Sequence, residues 1–218
     1  MLARFCIVAQ SKESDIITLE GISITKIRFV GDNMNMIGEK IKYLPATSDP
    51  LSADVYCIEG DEYCYVYDVG NDDRSLQYIN QIGKEKVVIL SHHHKDHTGN
   101  ISDIHYRDLY VGKKTYEVIE KGIIVEDKLT INDGVRIDVI HCTSPHTDGS
   151  LILTVNNEYT LIADLYFTRP PFEREKAMKM IETLRDIDTK YFVISHQEDE
   201  KVIPKDKLIT ELSVYFGQ

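Results

Sequence analysis

Residues 87–100 read Val87-Val88-Ile89-Leu90-Ser91-His92-His93-His94-Lys95-Asp96-His97-Thr98-Gly99-Asn100. The first four form a short, continuous apolar run, the pattern of a buried strand. Thr98-Gly99-Asn100 predicts a break before a short helix. His92, His94, Asp96 and His97 therefore stand together at the end of one strand. Imidazole and carboxylate donors suit zinc and other first-row divalent metals. In an extended or turning segment, His92 and His94 can fall on one side. Asp96 and His97 are adjacent and point in different directions, so the loop can feed two metals, one on each side. A solvated His-rich loop is the plain alternative, because a His-rich tract is only a compositional hint. The run is internal and follows a core strand, which sets it apart from a tag.

Three more donors follow strand-like runs. His146 lies in Thr143-Ser144-Pro145-His146-Thr147-Asp148-Gly149-Ser150, Asp164 ends Tyr159-Thr160-Leu161-Ile162-Ala163-Asp164, and His196 follows Tyr191-Phe192-Val193-Ile194-Ser195. Polar residues past buried strands are well placed for an active site on one edge of a sheet. Taken singly, each has an ordinary reading: a hydrogen-bonded surface histidine, or an aspartate in a turn or helix cap.

Between these points the chain alternates strands and helices. Residues 22–29 alternate as a half-buried strand does, and residues 31–50, with Gly, Asn, Pro and Met, read as a long loop bordering a site. Residues 54–59 and 63–69 form a hairpin turned at Gly60-Asp61. Residues 74–82 and 113–120 are helical. Residues 123–131, 135–140, 151–155, 159–162 and 191–194 are strand-like, and two of the turns between them are Asn-Asp-Gly and Asn-Asn. Residues 173–185 form a helix with Ala177, Met180, Ile181 and Leu184 on one face, and residues 205–216 form another. This order implies helices packed on sheets.

The chain has 218 residues, 42% hydrophobic and 28% charged, without repeats or a flexible linker, and is expected to form one domain over residues 1–218. A net charge of −11 argues against nucleic-acid or anionic-membrane partners. Residues 1–9 lack the layout of a signal peptide, and no segment is apolar enough to span a bilayer. A cytoplasmic location is expected. The four cysteines, Cys6, Cys57, Cys64 and Cys142, form no C-x-x-C pair and are expected as free thiols, although Cys57 and Cys64 can meet across the hairpin.

The order His92-x-His94-x-Asp96-His97, His146, Asp164, His196 resembles the metallo-β-lactamase-fold hydrolase superfamily, across roughly residues 54–196. Tyr65-Val66-Tyr67-Asp68-Val69-Gly70 is similar to that family's strand-Asp-x-Gly element, with Asp68 bracing the site. The resemblance implies an α+β fold: a four-layer αβ/βα sandwich of two facing mixed sheets flanked by helices. It implies that His92, His94 and His146 hold one metal and that Asp96, His97 and His196 hold a second, with Asp164 bridging. The cofactors would be two divalent ions, zinc first, with manganese or iron as alternatives. A metal-bridging hydroxide would attack an ester, thioester, lactone or phosphoester, with Asp96 orienting it as the catalytic carboxylate. The sequence departs from the pattern at Pro145, Ala163 and Ser195, where glycine is usual, so the His146 loop is expected to differ in shape. His141 is the rival ligand. Tyr166 and Arg169 are candidate substrate-binding residues, set against simple packing and a surface arginine.

Within that superfamily, lactamases are secreted, thioesterases resembling glyoxalase II add a helical domain, and tRNA nucleases add a basic insertion. None of these is visible here. Flavin-linked diiron members carry Glu where His94 stands. Two other readings stay open: a mononuclear iron oxidoreductase resembling persulfide dioxygenases, and a non-catalytic metal-binding protein. The partner expected is a small-molecule substrate, and the sequence leaves the oligomeric state open.

Overall fold

The computed structural model describes residues 17–19, 22–24, 35–168, 171–197 and 199–217. The chain divides into two compact units, residues 1–32 and 33–218. In the first, strands β1 (Ile17–Leu19) and β2 (Ile22–Ile24) pair antiparallel. The remainder of the strand expected over residues 22–29, and residues 1–9, lie outside the described residues.

The second unit holds two large sheets. Its chain order is β3 (Asn35–Ile37), β4 (Ile41–Leu44), the small hairpin β5 (Thr47–Ser48) and β6 (Leu51–Ser52), β7 (Val55–Glu59), β8 (Tyr63–Tyr67), α1 (Asp73–Asn80), β9 (Glu85–Ile89), α2 (Lys95–Thr98), β10 (Asp108–Val111), α3 (Lys113–Ile119) and β11 (Ile123–Ile124). It continues with β12 (Lys128–Asn132), β13 (Arg136–Cys142), β14 (Ser150–Val155), β15 (Tyr159–Ala163), α4 (Arg174–Asp186), β16 (Tyr191–Ile194), β17 (Val202–Pro204) and α5 (Lys205–Gly217). The first sheet has seven strands in the order β11-β10-β9-β8-β7-β4-β3, and the second has six, β12 to β17 in sequence. Parallel pairs occur at β8/β9, β9/β10, β10/β11 and β15/β16, and a helix crosses over in each case, as parallel pairing requires.

The expected four layers are present. Tyr56, Ile58, Tyr67 and Ile89 of the first sheet meet Ile137, Leu151, Leu153 and Val193 of the second in a core between the sheets. Outside the seven-stranded sheet, Tyr78 and Ile79 of α1 cover Val66 and Val88. Outside the six-stranded sheet, Ala177, Met180, Ile181 and Leu184 of α4, with Leu208, Leu212 and Phe216 of α5, cover Ile152, Ile162 and Phe192. Those helical positions recur at three- and four-residue spacing, so one face of each helix is buried. Strand β14 is buried along its whole length because both of its faces are covered.

Several expectations need correction. The long loop expected over residues 31–50 contains the β3–β4 hairpin, turned at Gly38 with φ 57°, and β4 pairs with β7. The strand expected over residues 123–131 is broken into β11 and β12, which belong to different sheets. The short helix near Gly99 precedes that glycine instead of following it, so Asp96 and His97 sit on its first turn. Cys57 and Cys64, expected as free thiols, are joined across the β7–β8 hairpin, with Cα atoms 6.3 Å apart. Residues on one face of adjoining antiparallel strands lie within reach of such a bond. Among the described residues, no helix is long and apolar enough to cross a membrane.

Candidate metal centre

Parallel β8 and β9 end on one edge of the first sheet, and parallel β15 and β16 end on one edge of the second. The two edges meet there. The Leu151 N–H donates to the Ser91 carbonyl at 2.8 Å, and the Tyr67 hydroxyl donates to the Leu151 carbonyl at 2.8 Å. The loop after β9 carries His92, His94, Asp96 and His97. The β13–β14 loop carries His146, Asp164 follows β15 directly, and His196 stands two residues past the end of β16.

These seven side chains form two clusters, His92/His94/His146 and Asp96/His97/Asp164/His196. In the first, His92 Nε2, His94 Nδ1 and His146 Nε2 lie 3.1–3.2 Å from one another. A tetrahedral first-row metal with bonds of 2.0–2.1 Å would set its nitrogen donors roughly 3.3–3.4 Å apart. The hydrogen bonds behind the rings fix which nitrogen carries the lone pair. The His146 Nδ1–H donates to the Phe167 carbonyl at 2.5 Å, since a carbonyl only accepts. The Ser91 hydroxyl gives its proton to Asp68 Oδ2 at 2.7 Å, leaving its oxygen to accept from the His92 Nδ1–H at 3.0 Å. His92 and His146 thus aim bare Nε2 lone pairs at a common point, a repulsive arrangement unless an electrophile sits there.

In the second cluster, the His97 Nδ1–H donates to Asp68 Oδ2 at 2.7 Å, and Nε2 faces Asp164 Oδ2 at 3.3 Å and Asp96 Oδ2 at 3.4 Å. His196 Nε2 lies 3.1 Å from Asp96 Oδ2 and 3.6 Å from Asp164 Oδ2. Asp164 Oδ1 is buried and makes no hydrogen bond among the described residues. An orphaned carboxylate oxygen beside two imidazoles fits a cation. The clusters adjoin, the His92 and His97 ring centres being 4.1 Å apart. Asp68 braces both, accepting from the Ser91 N–H at 2.7 Å, the Ser91 hydroxyl and His97.

The electrostatics of the clusters differ. Burial, reinforced by the neighbouring histidines, lowers the pKa of His92 far below the usual imidazole value, and His94 is lowered for the same reasons. Burial would also lower His97, but the Asp68 and Asp164 carboxylates outweigh it and push His97 up to about 10. His196 is raised by its hydrogen bond to Asp96, again against burial. Burial would raise Asp96, yet the His196 hydrogen bond and the charge on His97 hold it below the usual carboxylate range. The first cluster offers neutral nitrogens, and the second balances two carboxylates against two imidazoles. Both suit divalent cations.

A cleft of about 860 Å³ opens beside the second cluster. Asp96, Asp164 and His196 line it, together with Tyr43, Phe167 and Gln197. Pro145 does not keep His146 away, because the turn closes through Ser144 and Thr147 and the left-handed residue is Gly149, with φ 72°. Ala163 takes φ 46° without glycine's freedom. His141 lies on β13, outside both clusters. His93 Nδ1 lies 3.2 Å from the Thr147 hydroxyl, and His105 is exposed. Tyr166 is half-buried, packs on the Phe167 ring and is not among the residues lining the cleft. Burial, with the charges of Glu211 and Asp164, pushes its phenol to about 12. Arg169 lies outside the described residues. Sequence reasoning missed Asp54, Lys201 and Ser91. For Asp54 the available signal was an acidic residue directly before the apolar run of β7.

The sequence profile of the Metallo-beta-lactamase superfamily matches residues 48–108, the span from β5 through the His92–His97 run to the start of β10. No curated protein matches the sequence. Solved structures do. A metallo-beta-lactamase from Pontibacter korlensis superposes with TM-score 0.65 at 15% identity, over 85% of this chain and 99% of that one. An archaeal metallo-beta-lactamase superfamily protein from Sulfolobus tokodaii gives 0.58 at 17% identity, over 80% and 85%. A chemotaxis sensor described with a peroxy diiron species gives 0.64 at 13% identity, over 85% and 95%. With the two facing sheets and the H-x-H-x-D-H run at their common edge, this chain has the metallo-β-lactamase fold, and its residues 48–108 match the model of that superfamily.

Proposed function

We propose that this chain is a dinuclear metal-dependent hydrolase acting on an ester, thioester, lactone or phosphoester of a small molecule. The observation that carries this reading is the pair of donor clusters side by side, with Asp96, Asp164 and His196 of the second lining a cleft. His92, His94 and His146 would hold one ion. Asp96, His97 and His196 would hold the other, with Asp164 between them. Zinc is the ion expected, with manganese and iron next. Two divalent cations supply a nucleophile from water at neutral pH and polarise the oxygen of the bond to be broken. Asp96, turned to the cleft, is placed to accept and orient a proton of the attacking water. Asp68 holds His97 in the tautomer that presents Nε2, and the Phe167 carbonyl does the same for His146.

Protein purified without chelators is expected to carry two zinc or manganese ions. It is expected to cleave members of a generic ester and phosphoester panel under anaerobic conditions, with oxygen from labelled water in the product. Asp164→Asn should lose at least one ion and most of the turnover while the fold survives, because a neutral amide is a poor bridging ligand. Turnover that appears only with iron and molecular oxygen, with label arriving from the gas, would move the protein to the oxidoreductases.

A further inference from the structure

Asp54 stands immediately before β7 and is completely buried, a costly place for a carboxylate without partners. Three of its four partners come from more than 100 residues away, and the fourth lies eight residues before it. Oδ1 accepts from the Lys201 ammonium at 2.8 Å and the Ala46 N–H at 3.1 Å, while Oδ2 accepts from the His196 N–H at 2.8 Å and the Ser195 hydroxyl at 3.0 Å. Lys201 is itself buried, reaches the Ile194 carbonyl at 3.3 Å and lies 5.3 Å from the centre of the Tyr43 ring. His196 has φ 55°, a left-handed conformation unfavourable for a residue with a Cβ. The N–H that Asp54 grips is the one belonging to that strained residue.

We propose that Asp54, paired with Lys201, is a positioning residue: it holds the backbone of His196 left-handed, so that the imidazole reaches Asp96 and Asp164. The inference rests on the metal-site reading proposed above. Two arguments separate it from simple stabilisation. A buried ion pair is often no more stabilising than apolar residues of the same shape, so the pair's presence calls for something besides stability. Its second oxygen is also spent on the segment that delivers His196, although Lys201 and Ala46 alone would satisfy the first. Through Ala46 the same carboxylate ties a second segment lining the cleft to this one.

The test compares wild type with Asp54→Leu/Lys201→Met and Asp54→Asn/Lys201→Met. The first double variant replaces the pair with apolar groups of similar volume, which keeps the fold and removes the acceptor. The second returns one acceptor oxygen for the His196 N–H. Each metal-free protein is checked by circular dichroism and titrated with Co²⁺, followed by visible absorption and native mass spectrometry. Wild type is expected to take up two equivalents. The Leu/Met variant should bind one equivalent as wild type does and the other roughly 10–100-fold more weakly, the loss usual for removing a group that orients a ligand. The Asn/Met variant should recover most of that loss. In a His94→Ala background, which leaves only the second cluster intact, the surviving equivalent should weaken by the same factor.

Wild-type affinity for both equivalents in the Leu/Met variant would overturn the role of Asp54. So would equal weakening of both, or no recovery with asparagine. Fewer than two equivalents on wild type would instead overturn the dinuclear reading itself.

Discussion

Asp68, Ala163 and His196 carry φ angles of 60°, 46° and 55°, and all three stand where a strand hands over to the site. Left-handed backbone costs an L-residue about 1–2 kcal/mol, and such strain gathers where a side chain must be aimed. The donors were legible because each follows an apolar strand, and the departures from glycine were visible too. The strain was not, because nothing local in Ile162-Ala163-Asp164 announces a positive φ. Magnitudes decide what glycine would do at position 163. It would relieve about 1–2 kcal/mol of strain. It would forfeit about 0.8 kcal/mol of methyl burial and about 0.4–1 kcal/mol of unfolded-chain entropy. Ala163→Gly is therefore expected to change stability by less than about 1 kcal/mol in either direction. Ala163→Val adds two methyls to a buried site and a β-branch to a left-handed residue, so it should destabilise by more than about 2 kcal/mol. Urea denaturation with unchanged m-value measures both, and a neutral valine variant would remove the strain argument.

At the scale of elements, long apolar strands and amphipathic helices were legible, while short strands were not. Strand β3 exposes two of its three residues and β10 alternates over only four, too few to show a period. Strand β4 mixes Lys42 and Tyr43 between Ile41 and Leu44, so it resembled the loop around it. Asp54 was missed because Lys201 is remote in sequence, and no window contains both. The support of the His146 loop has the same character. A Cβ on Gly112, at the start of α3, would lie 1.8 Å from the Gly149 carbonyl oxygen, and Gly149 needs its positive φ to end that loop. Backbone faces backbone there, so no side chain can move aside. Gly112→Ala should cost about 1–3 kcal/mol, as overpacking of a tight contact does. It should also displace the His146 imidazole, so that a first-cluster ion is lost well below the temperature at which the protein unfolds. Full retention of both ions by a folded Gly112→Ala protein would contradict this coupling.

Across the whole molecule, neither donor cluster belongs to one sheet. His92 and His94 come from the seven-stranded sheet and meet His146 from the six-stranded one, and Asp96 and His97 likewise meet Asp164 and His196. An ion in either cluster therefore clips the two sheets together at their shared edge, and removing it should loosen the whole sandwich. A ligand present at 100 times its Kd stabilises the folded state by about 2.7 kcal/mol, so two ions give about 5.4 kcal/mol. For a chain of this size that corresponds to a melting temperature lower by about 10–20 °C after chelation, restored when Zn²⁺ is added back. The pH dependence has a definite sign. In the metal-free fold His97 is raised to about 10 and His196 is raised as well. Their contribution to stability is complete below the ordinary imidazole pKa of about 6.5, and that of His97 is lost as pH rises through about 10. His92 and His94 are lowered, so the stability they contribute is present above about 6.5 and falls away below it. The ions must displace the protons held on His97 and His196, so raising the pH strengthens metal binding. The drop in melting temperature on chelation should therefore be larger at pH 8 than at pH 6. Calorimetric scans with and without chelator at the two pH values measure it. A drop independent of pH would mean that the ions do not compete with the His97 proton, and no drop at all would mean that neither cluster holds an ion in the folded protein.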